Sequence, residues 1–299
     1  ILAGMQGAGL AGSKRYRVLA ERMKRVLTRA VWLIAEHIRR SSFEPAGYEM
    51  DFSDRGKFPP IVIQLDSGET IKLTGRIDRV DALRTEEGTY LRIVDYKSGS
   101  KGFKLSDLYY GLEIQLITYL DAIWSQGNQG DGSIWSPSPC YPGGMLYFRL
   151  DDPIIRTKGR ASAEEIERAI MKQLRMKGLL LADVRLIKEM DHTIEGDSLI
   201  IPARLNKGDT LGKSSASASQ DQFKLLRNYV RRLLKGLCRE MMQGEVAIRP
   251  YRKKEGTACT YCTYAAVCQF DPGRSENRFR ILPDKKDEEV WNLMDGGEH

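Results

Sequence analysis

No apolar run in the chain approaches the roughly 20 residues needed to cross a bilayer. No charged-then-apolar leader of the secretory kind is present either. The expectation is a soluble, cytoplasmic protein with no membrane partner. Cysteine is scarce: Cys140, Cys238, Cys259, Cys262 and Cys268 are all there are. An odd, clustered set in a chain this long argues against a disulfide framework and for a reducing compartment with a bound metal. A phosphate loop is lacking. The nearest approach, Gly208-Asp-Thr-Leu-Gly212-Lys-Ser214, has three residues between its glycines where the motif needs four, and a Ser/Ala run follows instead of an apolar helix start. That segment reads as a flexible loop, which leaves no ATPase engine. The first residue is Ile1 rather than methionine, so the chain is expected to be part of something longer.

What is present is enough for a sizeable core: 299 residues, 41% of them apolar, which excludes a wholly disordered chain. The 47 Lys and Arg exceed the 40 Asp and Glu by seven. The excess sits in two helical stretches, Lys14 to Arg40 and Gln220 to Lys254, each with a local charge of +7, while Asp284 to Glu298 is acidic. Basic helical faces beside a more neutral remainder fit a polyanion, although solvated helix faces account for such charge equally well without a second motif.

The most informative stretch is Leu73 to Gly99, LTGRIDRVDALRTEEGTYLRIVDYKSG. Ile71, Leu73, Gly75 and Ile77 alternate with polar residues, the pattern of a strand with one buried face. Thr85 to Gly88 is a polar, glycine-ended turn, and Tyr90 to Lys97 is a second strand. Alternation sends Ile93, Asp95 and Lys97 to one face and Val94 and Tyr96 to the other. If Asp78 faces them across the hairpin, two carboxylates and an ammonium share a small volume. Converging carboxylates repel unless a cation lies between them, and oxygen ligands suit Mg²⁺ or Mn²⁺. That is equipment for metal-assisted phosphodiester cleavage. A bare D-x-K is more often an exposed ion pair beside a turn.

Before the hairpin, Ser13 to Arg40 has the three- and four-residue apolar steps of an amphipathic helix, and Tyr48 to Phe52 reads as a short strand. Glu36, His37 and Glu49 are possible extra metal ligands, but the spacing does not demand it and a surface role is expected for all three. Pro59-Pro60 opens a strand over 61–65, and a turn leads into another over 70–79. After the hairpin, Leu108 to Trp124 reads as one helix with Gln115 and Tyr119 on a shared face. Ser125 to Pro142 is a loop and Gly144 to Leu150 a buried strand. A charged helix follows over 163–177, capped by Ser162 with Glu165. Residues 179–189 fit a helix or a strand equally. Ser219 to Met242 is a second basic helix, with Arg227, Arg231 and Lys235 along one face as candidate DNA contacts. This order suits a mixed sheet flanked by helices.

Near the C-terminus, Cys259-Thr-Tyr-Cys262 is followed five residues later by Cys268. C-x-x-C places two sulfurs in one tight turn, fit for one metal centre, although three thiolates leave tetrahedral zinc or a cubane cluster one ligand short.

The combination of GRIDRVD, the hairpin, LRIVDYKSG, YYGLEIQLITYLD and CTYCTYAAVC resembles the PD-(D/E)xK nuclease superfamily in its RecB-like branch. In particular it resembles the C-terminal nuclease region of the AddB family, over about Arg15 to Leu282. The resemblance implies an α/β fold with a restriction-endonuclease-like core and a C-terminal Cys-cluster staple. It implies one nuclease domain over 1–299: a core at about 14–150, a helical basic extension at about 160–250, and a Cys segment at about 251–282. Asp78 and Asp95 would hold Mg²⁺ or Mn²⁺, with the Tyr96 backbone carbonyl as third ligand. Lys97 would position water or stabilise the phosphate oxygens, and Gln115 and Tyr119 would contact metal waters or the DNA backbone. The branch carries a His on an earlier helix; His37 lacks its surrounding motif, and the ligand is expected upstream of Ile1. Cys259, Cys262 and Cys268 would bind a [4Fe–4S] cluster, in preference to zinc, with the fourth ligand expected upstream or replaced by another group. Implied too are exonuclease action on single-stranded DNA ends at double-strand breaks, recombinational repair, and an AddA-like helicase–nuclease partner. The competing class is a non-catalytic DNA-binding or docking module with the same fold.

Overall fold

A computed structural model describes residues 14–99, 102–127, 139–157, 159–254, 256–275 and 277–296. The chain opens with helix α1 (Lys14–Arg39) and strands β1 (Glu44–Phe52), β2 (Ile61–Gln64), β3 (Thr70–Leu73), β4 (Gly75–Thr85) and β5 (Gly88–Lys97). Helices α2 (Leu105–Tyr109) and α3 (Gln115–Gly127) lead to β6 (Cys140–Arg149), α4 (Ala163–Leu174), β7 (Lys177–Leu181) and α5 (Val184–Met190). A small hairpin, β8 (Leu205–Asn206) and β9 (Thr210–Leu211), precedes β10 (Ser217–Ala218) and the long α6 (Gln220–Met242). The chain closes with β11 (Tyr251–Lys253), β12 (Gly256–Thr257), α7 (Ala265–Cys268), β13 (Arg280–Ile281) and α8 (Asp287–Asp295).

Six strands form a mixed sheet in the order β1-β4-β5-β6-β7-β10. β4 and β5 are the expected antiparallel hairpin, and β5 pairs parallel with β6 after a crossover through α2 and α3. The hairpin turn depends on Gly88, whose φ is +139° and where an added Cβ would lie 2.1 Å from the Pro139 carbonyl oxygen. Apolar residues of β4, β5 and β6 are almost fully buried, including Ile77, Val80, Leu91, Ile93, Val94, Met145, Leu146 and Phe148. A smaller cluster of Ile63, Leu65 and Cys238 joins the separate β2–β3 hairpin to α6.

Three expectations change. The strand expected over 70–79 is broken at Thr74: β3 pairs with β2, while β4 pairs with β1 and β5. The helix expected over 108–124 is two, separated by a turn in which Gly111 adopts φ +78°. The ambiguous 179–189 segment contains both forms, strand β7 and then α5, with Asp183 accepting from the backbone N–H of Arg185 and Leu186. The Ser162–Glu165 capping box forms as expected, and Ser219 with Gln222 makes a second one at the head of α6.

Candidate active site

The site lies where β4 and β5 part. Their ladder runs from Thr85 opposite Gly88 to Arg79 opposite Val94 and stops. Beyond that point β4 follows β1, with Ile77 opposite Met50 and Gly75 opposite Phe52. The next N–H of β5 on that edge, that of Tyr96, has no β4 carbonyl and donates to Asp78 Oδ2 at 2.8 Å. In an extended strand the N–H and C=O of one residue point to the same edge, so the Tyr96 carbonyl also faces the gap. Val80 stands opposite Ile93, and alternation from that pair puts Asp78 on the face of Ile93 and Asp95.

Asp95 is 2% exposed, so its charge depends on its partners. Lys97 Nζ lies 2.6 Å from Asp95 Oδ2, and Gln115 Nε2 donates to Asp95 Oδ1 at 3.0 Å. Lys97 also donates to Gln115 Oε1 at 3.1 Å, and Gln115 Nε2 lies 2.9 Å from the Tyr119 hydroxyl. The head of α3 thus presents Gln115 to both chemical residues of β5, with Tyr119 one turn behind. The five expected side chains fall into two groups: Asp95, Lys97, Gln115 and Tyr119 in one network, and Asp78 bonded to the backbone between Asp95 and Lys97.

Two features of this site had not been expected. Tyr147, beside Asp95 on β6, lies under Lys97, with the ammonium 5.5 Å from the ring centroid. Its hydroxyl donates to Glu113 Oε2 at 2.9 Å, and burial, followed by the Glu113 charge, pushes the phenol well above its usual range. Nothing in the spacing of Glu113 and Tyr147 marks them, because the crossover that joins them is a matter of topology. On the reverse face, Asp81 is buried between two buried guanidiniums. Arg79 Nη2 donates to Asp81 Oδ2 at 3.0 Å and Arg92 Nη2 to the same oxygen at 2.7 Å. The signal for this cluster was in the sequence: Arg79, Asp81 and Arg92 all occupy inward positions of otherwise apolar strands.

Other expected ligands lie elsewhere. His37 is not a surface residue: it is 2% exposed, edge-on to Phe148 at 5.1 Å, and on the face of the sheet opposite Asp95. Burial, then the charges of Arg79, Arg92 and Arg40, holds its pKa down to about 3. Glu36 pairs with Arg40 at 3.0 Å. Glu49 is exposed, and one of its oxygens lies 3.5 Å from Arg76.

The candidate DNA contacts are committed internally. Arg227 and Arg231 both bond Asp121 and Ser125, and Lys235 pairs with Asp66. These three basic residues line a cavity of about 470 Å³ walled by β2, α3 and α6.

The three clustered cysteines flank and enter the short helix α7. Among the described residues, no group of three or more His, Cys, Asp or Glu is arranged to hold a metal. The geometry of the described residues thus lends no support of its own to the iron–sulfur or zinc site expected at Cys259, Cys262 and Cys268. Tyr261, Tyr264 and Val267 between them are strongly exposed. Cys140 and Cys238 are core thiols, and burial lifts Cys140 to about 11.

Comparison with known proteins agrees with this geometry. The family model of the PD-(D/E)XK nuclease superfamily matches residues 3–269. The chain is 65% identical over 294 residues to the B subunit of the ATP-dependent helicase/deoxyribonuclease of Acetivibrio thermocellus and 63% identical to that of Ruminiclostridium cellulolyticum, covering 98% of this chain in each case. With the corresponding protein of Clostridium novyi the identity is 51% over 288 residues, or 96% of the chain. The chain spans about a quarter of the length of these relatives (25% of each). With the family match running through the hairpin, the crossover and α6, this chain belongs to the PD-(D/E)XK nuclease superfamily.

Proposed function

We propose that the chain is a metal-dependent deoxyribonuclease domain in which Asp78 and Asp95 hold Mg²⁺ or Mn²⁺. The observation that carries this reading is the parting of β4 and β5, which leaves Asp78, the Tyr96 carbonyl, Asp95 and Lys97 around one gap. The donors fit: two carboxylates and a carbonyl are hard oxygens, suited to Mg²⁺ or Mn²⁺. When bound, the ion supplies an activated water and neutralises phosphate charge. Asp78 spends one oxygen on the Tyr96 N–H and keeps the other for a cation. Lys97, steadied by Asp95 and Gln115, offers its ammonium to the phosphate oxygens as negative charge builds there. Gln115, bonded in turn to Tyr119, holds that ammonium in place, and the two side chains would contact metal waters or the DNA backbone.

DNA is the proposed substrate because the relatives are named as subunits of a deoxyribonuclease. The finer reading is exonuclease action on single-stranded ends within a helicase–nuclease complex that has an AddA-like partner and processes double-strand breaks for recombinational repair. The cavity lined by Arg227, Arg231 and Lys235 is the proposed path for the strand. In a cleavage assay on single-stranded DNA with and without Mg²⁺, Asp78→Ala should lose cleavage by about a hundredfold or more and keep DNA affinity. Unchanged cleavage by that variant would end the assignment. DNA retention without metal-dependent cleavage by the unmodified protein would favour the docking-module reading instead.

A further inference from the structure

Two adjacent residues of β4 grip one residue of β5 from two directions. Asp78 Oδ2 accepts from the Tyr96 N–H at 2.8 Å along the edge of the strand. Arg79 Nη1 donates to the Tyr96 hydroxyl at 3.2 Å on the far face, with its guanidinium 6.0 Å from the ring centroid. Tyr96 is the residue between Asp95 and Lys97. The ladder to β4 has already stopped at Arg79 opposite Val94, although on the other edge the ladder to β6 runs on to Lys97 opposite Arg149. Without another tie, the segment carrying Asp95 and Lys97 would be held to β4 by the Asp78 carboxylate alone, which the proposed function also requires at the metal.

We infer that Arg79 and the Tyr96 hydroxyl form a positioning clamp that sets Asp95 and Lys97 in register with Asp78. The clamp is stiff because its parts are buried and braced. Arg79 is 1% exposed, and Asp81, also 1% exposed, holds its fork. Arg92, 2% exposed, holds Asp81 from the other side. The Tyr96 ring is edge-on to Phe148 at 5.7 Å, and Phe148 is edge-on to His37. None of these groups reaches the gap between β4 and β5 on the Asp95 face. Arg79 and Tyr96 are therefore positioning residues, and the inference rests on the nuclease reading above.

The test uses Tyr96→Phe, which removes one hydroxyl and keeps the ring, with Arg79→Lys alongside it. Mn²⁺ binding is measured by electron paramagnetic resonance without DNA, and cleavage is titrated with Mg²⁺ on single-stranded DNA. Losses of about tenfold are expected in Mn²⁺ affinity and in kcat at saturating metal, the usual range for partners that orient ligands. KM for DNA should stay at the wild-type value, as should the melting temperature of Tyr96→Phe within a few degrees. Arg79→Lys should recover part of the metal affinity that Arg79→Met loses. If Tyr96→Phe binds Mn²⁺ and cleaves as the wild type does, the clamp is refuted while the nuclease reading stands. If the wild type binds no Mn²⁺ that Asp78→Asn abolishes, the nuclease reading fails and the clamp has nothing to position.

Discussion

Asp81 is one carboxylate shared by two guanidiniums, all three groups 1–2% exposed. Burial pulls Arg92 below its ordinary pKa against the opposing Asp81 charge; at Arg79 the same burial is outweighed by Asp81 and the net direction is upward. A single acid therefore serves two cations, and losing it strands both. Asp81→Leu should cost about 3–5 kcal/mol, the range for breaking a buried pair from one side. Combining Asp81→Leu with Arg79→Met and Arg92→Met should recover much of that loss, because no buried charge remains. Urea unfolding of the single and triple variants measures both; a triple variant no more stable than Asp81→Leu would show that the ions contribute more than mutual compensation. At this scale the sequence was legible for the Asp95/Lys97 pair, since parity alone puts them on one face. The bond from Tyr96 N–H to Asp78 was not legible, because it depends on where a ladder ends.

Among the elements, the hairpin was readable and the breaks beside it were not. The apolar alternation of Ile71, Leu73, Gly75 and Ile77 passes through Thr74 without a change of phase, so only the choice of pairing partner separates β3 from β4. Gly75 marks the spot in retrospect: a Cβ there would lie 2.6 Å from the Phe52 ring and 3.3 Å from Tyr119. Helix α1 was recognised from its periodicity, but His37 was misplaced because one imidazole near a helix end carries no sign of burial. Its pKa yields a prediction for the helix. In the folded chain the value is about 3 against an ordinary 6.5, so the unfolded chain binds the extra proton between those limits. Stability should be fully present above pH 6.5 and fall as the pH drops towards 3, by on the order of 5 kcal/mol from this residue. His37→Phe should flatten that part of the stability–pH curve. An unchanged slope between pH 4 and 6 in chemical denaturation would assign the acid sensitivity to other groups.

Across the whole molecule, the excess of basic residues is less available than a count implies. Composition identifies the cations, but the fold decides which of them are occupied. Arg227 and Arg231 are drawn from α6 onto Asp121 of α3, which is 5% exposed, and Arg25 and Arg29 turn to Asp152. The bonds to Asp121 tie α6 to the crossover helix that carries Gln115 and Tyr119, so one carboxylate both fixes the site's scaffold and occupies the proposed strand path. Neutralising it separates the two roles. In Asp121→Asn the helices lose charged bonds, and the melting temperature should fall. The guanidiniums, no longer compensated, become available to phosphate, so affinity for single-stranded DNA should rise severalfold at low salt. The slope of log affinity against log salt should steepen by about 0.7 for each phosphate gained on a single strand. Arg227→Ala and Arg231→Ala together in the same background should return both affinity and slope to the wild-type values. Equal DNA affinity in Asp121→Asn and wild type across the salt series would make Arg227 and Arg231 braces of the fold alone and would move the strand path away from this cavity.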